Sequence, residues 1–294
     1  MSAPELAYVD VQQVLAQLGD LGATLVLVGG QALNVWAETY VKEEPALSRQ
    51  APFTSKDIDF QGDHQAARVC ADRLNGTSYL GTLDDHSVNT GVVVYVDHRG
   101  DKRKIDFIES PLGLKADEVR RLAIPFDVLD PNGQPTGTRF LVLHPVHCLE
   151  SRVYNTTVLP DHDRPKDLAQ LRASILVARH FLKHLLVQGL TRDVHRLNER
   201  IFCFCLNNLR GREVVARFGI DPFEAVLVDD RLGKFVTERY PRMRDQLQAM
   251  RARRAATPRS SAPQSASGPA STTSDANAND KALVPNTEKT GPSH

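Results

Sequence analysis

Two short segments alternate polar with apolar residues, Asp57-Ile58-Asp59-Phe60 and Lys104-Ile105-Asp106-Phe107-Ile108. A period of two is the pattern of a strand with one face in a core. Ile58, Phe60, Ile105 and Phe107 are therefore expected to point inward, and Asp57, Asp59 and Asp106 to leave by the opposite face. Side by side, such strands would gather three carboxylates on one surface. Like charges at that spacing repel unless a cation sits between them, and a hard divalent ion such as Mg²⁺ prefers oxygen ligands. This pattern restricts the chain to folds in which a sheet exposes one polar face.

The surrounding pattern predicts an α/β (α+β) region over residues 1–143, a small mixed sheet flanked by helices. Leu25 to Val28 reads as a buried strand that stops at Gly29-Gly30, and Gln31 to Thr39 as the helix that follows. Residues 64–75 place Ala67, Cys70, Ala71 and Leu74 on one helical face. Further strands are expected over Val92 to Val96 and Arg139 to Leu143, with Asp97 to Asp101 as a turn. Residues 144–256 read as a helical subdomain: Pro145 suits a first turn, a long helix follows Pro165, Thr191 caps another, and Asp221-Pro222 opens a third. Residues 257–294 contain no aromatic residue and are dense in Ser, Thr, Ala, Pro and Asn. Such a stretch buries too little apolar surface to offset its chain entropy and is expected to be disordered.

Gly29-Gly30 closes a strand and opens a helix, so backbone N–H groups there are accessible to an anion with no side chain in the way. Thr54 and Ser55, just before the aspartates, supply hydroxyl donors. Together these parts suit a nucleoside triphosphate with its metal. Asp57 and Asp59 are expected to hold two Mg²⁺ ions, and Asp106 to complete the site and take a proton from an acceptor hydroxyl.

This ordering resembles the nucleotidyltransferase superfamily that includes DNA polymerase β, and most of all the minimal bacterial AbiEii/MenA-type toxins. The resemblance is carried by Gly29-Gly30-Gln31-Ala32, Ser55-Lys56-Asp57-Ile58-Asp59-Phe60 and Lys104-Ile105-Asp106-Phe107. More faintly it takes in Leu149-Glu150-Ser151-Arg152 and Pro165-Lys166-Asp167-Leu168, so that it spans roughly residues 20–180. It implies that Arg152 and Lys166 contact phosphates and that Asp167 orients a basic residue. It also implies NTP as donor and a hydroxyl acceptor, with tRNA and an antitoxin protein as the partners of the toxin branch. Other branches modify antibiotics or protein hydroxyls, so the acceptor stays open. The chain departs from the family pattern in three places: Gly30 stands where serine is common, Phe53 where arginine is common, and Arg152 where lysine is usual. Those departures motivate an alternative, an inactive nucleotide- or partner-binding module on the same fold.

Other features are read more plainly. Acidic and basic residues balance at 36 each, so no global field steers the protein towards nucleic acid. The first residues lack a basic n-region and an apolar h-region, and no apolar run reaches the roughly 20 residues that span a bilayer, which predicts a cytoplasmic protein. Cys70, Cys148, Cys203 and Cys205 are expected to be reduced and in or near the core. His180 and His184 share a helical face, but Phe181 stands where a zinc protease needs glutamate, leaving a packing or solvated role. Six arginines against Asp245 in residues 239–254 fit either a solvated C-terminal helix or an RNA-contacting one.

Overall fold

The computed structural model describes residues 4–81, 89–130 and 133–256. Met1–Arg254 form one compact unit and Ala255–His294 a second. Of the second unit only the helical residues 255–256 are described, so the disorder expected for 257–294 lies outside the described residues.

The architecture is mixed α/β, with one seven-stranded sheet flanked by helices. In chain order the strands are β1 (Val26–Val28), β2 (Ile58–Gln61), β3 (Thr77–Leu80), β4 (Asn89–Val96), β5 (Lys102–Ile108), β6 (Ile124–Leu129) and β7 (Pro135–Val142). Their spatial order is β3-β4-β5-β2-β1-β7-β6. β2 lies at the centre, parallel to β5 and antiparallel to β1, and β1 is parallel to β7. The helices are α1 (Tyr8–Leu18), α2 (Gly29–Tyr40), the short α3 (Pro45–Ser48), α4 (His64–Arg73), α5 (Ala116–Leu122), α6 (Pro145–Val158), α7 (Pro165–Val187), α8 (Thr191–Asn207), α9 (Leu209–Phe218) and α10 (Tyr240–Ala256).

The alternation at the sheet centre produces the expected inner face. Ile58, Phe60, Ile105 and Phe107 are fully buried, and the Phe60 and Phe107 rings lie 5.9 Å apart. A second cluster joins the sheet region to the helices. Trp36 of α2 packs edge-on against Phe126 of β6 and Phe181 of α7 and donates its indole N–H to the Leu143 carbonyl at 2.8 Å. Burying a large aromatic with its one donor satisfied is an efficient way to fix two layers. Through it α7 is locked onto α2, the helix that begins at Gly29.

Several local expectations need correction. The N-cap of α8 is Leu190, not Thr191, and no side chain caps it. Asp221-Pro222 opens only a 3₁₀ turn over Pro222–Ala225, with Asp221 accepting from the Phe223 N–H. A proline at the first position suits either helix type; the next residues, with Leu227 tied to Asn198, leave that path after one turn. The helix over 64–75 stops at Arg73, because Asn75 takes a positive φ of 49°. Cys70, Cys148 and Cys205 are buried free thiols, whereas Cys203 is exposed. Among the described residues no helix is long and apolar enough to cross a membrane.

Candidate active site

The site begins at the junction of β1 and α2. Gly29 adopts φ +64°, a conformation that L side chains rarely take. A Cβ added there would stand 2.0 Å from Oδ2 of Asp59. The Asp59 carboxylate therefore lies directly against the start of α2, in the space that glycine leaves open. The partial positive charge of a helix N-terminus favours an anion in that place.

Asp59 and Asp106 are in-register partners on the parallel strands β2 and β5. Neighbouring strands run about 4.8 Å apart, and both residues face away from the core that holds Ile58, Phe60, Ile105 and Phe107. Asp57 is placed differently from the expectation. β2 starts at Ile58, and Asp57 sits in a bend just before it. The bend follows from Ser55 pairing with Leu6 in an isolated antiparallel bridge, which turns the chain ahead of the strand. Asp57 still acts through space on Asp59, Asp106 and Lys104.

The electrostatics of this face are frustrated. Burial, then the charges of Asp106 and Asp57, push the Asp59 carboxyl up to about 7, against the opposing pull of Arg152 and Lys104. Burial also raises Asp106, outweighing Lys104, whose ammonium lies 2.8 Å from Asp106 Oδ2. The Asn89 amide donates to the other oxygen, Asp106 Oδ1, at 3.0 Å. The Lys104 ammonium is thus the resident cation of the carboxylate face, and the fields of Asp106, Asp57 and Asp59 hold its proton more firmly than usual despite its burial.

The groups expected to meet phosphate approach from α6 and α7. Arg152 is buried and donates to Gln170 Oε1 at 3.0 Å. Among the described residues it forms no direct ion pair; Asp59 and Asp167 reach it only through space. Burial lowers its affinity for its proton, as expected for a cation taken out of water without a contacting anion. Asp167 accepts from Arg164 Nε at 3.0 Å and stands 3.5 Å from His162 Nδ1 without a hydrogen bond to it. Lys166 lies 2.5 Å from Glu5 Oε1, and Thr54 donates its hydroxyl to Glu5 Oε2. Ser55 Oγ would lie 2.9 Å from a Cβ built on Gly30. Its hydroxyl therefore occupies the place where a serine at position 30 would begin its side chain.

The structure thus brings Asp57, Asp59, Asp106, Gly29, Gly30, Ser55 and Arg152 to one locale, while Thr54 and Lys166 turn to Glu5. Sequence reasoning missed Glu5, Asn89, Lys104 and Gln170 as participants. Lys104 carried a usable signal, since it stands two residues before Asp106 and so shares its strand face. Glu5 and Gln170 reach the site by tertiary contact and carry none. Among the described residues no group of three or more His, Cys, Asp and Glu side chains is gathered to hold a metal ion as placed. The donor chemistry of the three aspartates nevertheless suits a hard divalent cation. A cation seated on Asp106 would have to displace Lys104 from Oδ2 or Asn89 from Oδ1.

No family model matches the chain, and no curated protein matches it. Among solved structures it is similar to JHP933 from Helicobacter pylori, at 13% sequence identity over 84% of this chain and 97% of that one, with a TM-score of 0.33. A likeness at that score carries no argument about fold or function, so the functional reading rests on the site itself.

Proposed function

We propose that this chain transfers a nucleoside monophosphate from an NTP to a hydroxyl acceptor and releases pyrophosphate. The observation that carries the reading is the meeting of Asp59 and Asp106, in register on β2 and β5 against the glycine start of α2, within electrostatic reach of a buried arginine that has no ion-pair partner among the described residues. Functional sites are where such uncompensated charge is kept. In the reaction the acceptor oxygen bonds to the α-phosphorus and its proton passes to the Asp106 carboxylate. The bond from that phosphorus to the bridging oxygen breaks, and pyrophosphate leaves with the electron pair. Mg²⁺ ions held by Asp57, Asp59 and Asp106 would supply Lewis-acid stabilisation of the charge on attacking and leaving oxygens.

The chain's own residues supply the rest. Asp59 must be ionised to serve; without a metal, burial and the neighbouring acids push its carboxyl up to about 7, so a bound cation would be what keeps it charged at neutral pH. Arg152, oriented by Gln170, offers a planar donor fork suited to phosphate oxygens. Ser55 Oγ, beside Gly30, supplies a hydroxyl in the cradle where the family commonly has a serine. tRNA is the acceptor we would try first, on the resemblance to the toxin branch, and an antitoxin the first partner.

The test is incubation with labelled NTPs, Mg²⁺ and tRNA or protein acceptors, comparing wild type with Asp57→Ala. Label transfer is expected from the wild type and a loss of at least about 100-fold from the variant. Equal transfer by both would sink the role assigned to Asp57. A second reading, nucleotide binding without turnover, is favoured by the internal pairing of Lys104 with Asp106 and of Lys166 with Glu5. Mg²⁺-dependent NTP binding without transfer to any acceptor would select it.

A further inference from the structure

Glu5 lies on a short N-terminal strap that is fixed on both sides of it. Before it, the Pro4 carbonyl accepts from Arg103 Nη1 at 2.5 Å. After it, Leu6 and Ser55 exchange backbone hydrogen bonds of 2.8 and 3.1 Å, and the buried Gln31 amide donates to the Leu6 carbonyl at 3.2 Å. The strap therefore runs against the same loop, Thr54-Ser55, that borders Gly30. Between these anchors the Glu5 carboxylate binds one oxygen to Lys166 Nζ and the other to Thr54 Oγ1, each at 2.5 Å, one residue along the chain from the Ser55 hydroxyl that borders Gly30.

An ammonium and a hydroxyl that converge on two oxygens of one carboxylate form a seat for any oxyanion, since carboxylate and phosphate are bound by the same donors. We infer that Glu5 is an internal occupant of a phosphate seat made by Lys166 and Thr54, and that it sets nucleotide affinity by competing with the NTP for that seat. This rests on the nucleotide-binding reading above. The contact is one that a ligand can displace: the side chains of Glu5 and Lys166 are 32% and 43% exposed, and exposed ion pairs are weak. Because the strap is anchored at Pro4 and Leu6, the carboxylate stays beside the seat after displacement and refills it when the nucleotide leaves. Lys166 and Thr54 are thereby kept from binding stray anions, at a cost in affinity for the true ligand.

The alternative is that Glu5 merely holds Lys166 in position, and it predicts the opposite sign. Calorimetric titration of the full chain with ATP and with inorganic triphosphate, at fixed Mg²⁺, separates the two for wild type, Glu5→Gln, Lys166→Gln and the double variant. Competition predicts that Glu5→Gln tightens both probes about 3- to 10-fold and that the gain disappears when Lys166→Gln is added. Unchanged or weaker binding of ATP by Glu5→Gln, with wild type still binding, overturns the inference and leaves the nucleotide site standing. Failure of wild type and Glu5→Gln alike to bind either probe overturns both. Thermal melting of each variant guards against misfolding, and Glu5→Asp, which keeps the charge but shortens the reach, should fall between wild type and Glu5→Gln.

Discussion

Two charged residues of α6, Glu150 and Arg152, are both buried and stand only two positions apart, yet their surroundings are opposite. Residues so spaced on a helix face different sides. Glu150 meets Arg200 of α8 in a two-pronged pair, with both N–O distances 2.7 Å, and Arg200 also binds Glu118 of α5. Burial raises Glu150 while Arg200 pulls it back, and Arg200 holds its proton more firmly than usual. Every charge in that cluster has a contacting opposite. Arg152, by contrast, touches the neutral amide of Gln170, and the carboxylates that act on it, Asp59 of β2 and Asp167 of α7, do so only through space. The first cluster ties three helices together; the second holds charge that only a ligand would balance. The difference separates a structural ion network from a site, because a buried charge without a partner is retained at the expense of stability.

The widest gap between the two sides should appear in unfolding. Arg200→Ala strands the buried Glu150 and is expected to destabilise the protein by about 3 kcal/mol. Arg152→Met removes a buried charge met only by the neutral amides of Gln170 and Asn155 and should change stability by less than about 1 kcal/mol. Urea denaturation of both variants checks this. Equal losses would erase the distinction drawn between the two faces of α6.

A smaller effect concerns pH. In a chelator, the folded chain keeps a proton on Asp59 up to about 7, whereas an ordinary aspartate loses it near 3.8. Between those values folding takes up a proton, so the contribution of Asp59 to stability falls as pH rises from about 4 to about 7 and is constant above. Asp59→Asn never ionises. It should match the wild type at low pH and exceed it by roughly 1–3 kcal/mol at pH 8, while losing label transfer. Parallel stability profiles for the two proteins would mean that the carboxyl is not held protonated.

The legibility of this molecule in its sequence follows from the same contrast. Period-two alternation exposed the centre of the sheet, because a strand with one buried face writes its two faces directly into the sequence; Ile58, Phe60, Ile105 and Phe107 are where that argument puts them. Asp106 could be matched to Asp59 for the same reason. β3 and β6 mark the limit of that signal. β3 is only half covered, alternating exposed and intermediate residues, and β6 carries a proline at its second position. α1 and α9 were also passed over, although each presents an apolar stripe. The bend at Asp57 could not be read, since it depends on Leu6 pairing across 49 residues with Ser55. Glu5, Gln170 and Asn89 join the site through contacts far apart in the chain, and nothing local to them signals it.

The finest distinction lies within the carboxylate face itself, between a lysine that competes with a metal ion and one that orients a ligand for it. Lys104 Nζ sits 2.8 Å from Asp106 Oδ2, and its side chain is 43% exposed. The Asp106 side chain is only 11% exposed, but burial already favours its neutral form and Asn89 still donates to it, so Lys104→Met should cost about 1 kcal/mol. It frees one oxygen of Asp106 and removes a positive charge from a face whose three acids already repel one another. Binding of Mn²⁺, followed by its paramagnetic signal, should therefore tighten about 2- to 5-fold. Weaker Mn²⁺ binding would reverse the assignment: Lys104 would then hold the Asp106 carboxylate in the rotamer that a cation needs, and the contact would belong to the assembled site.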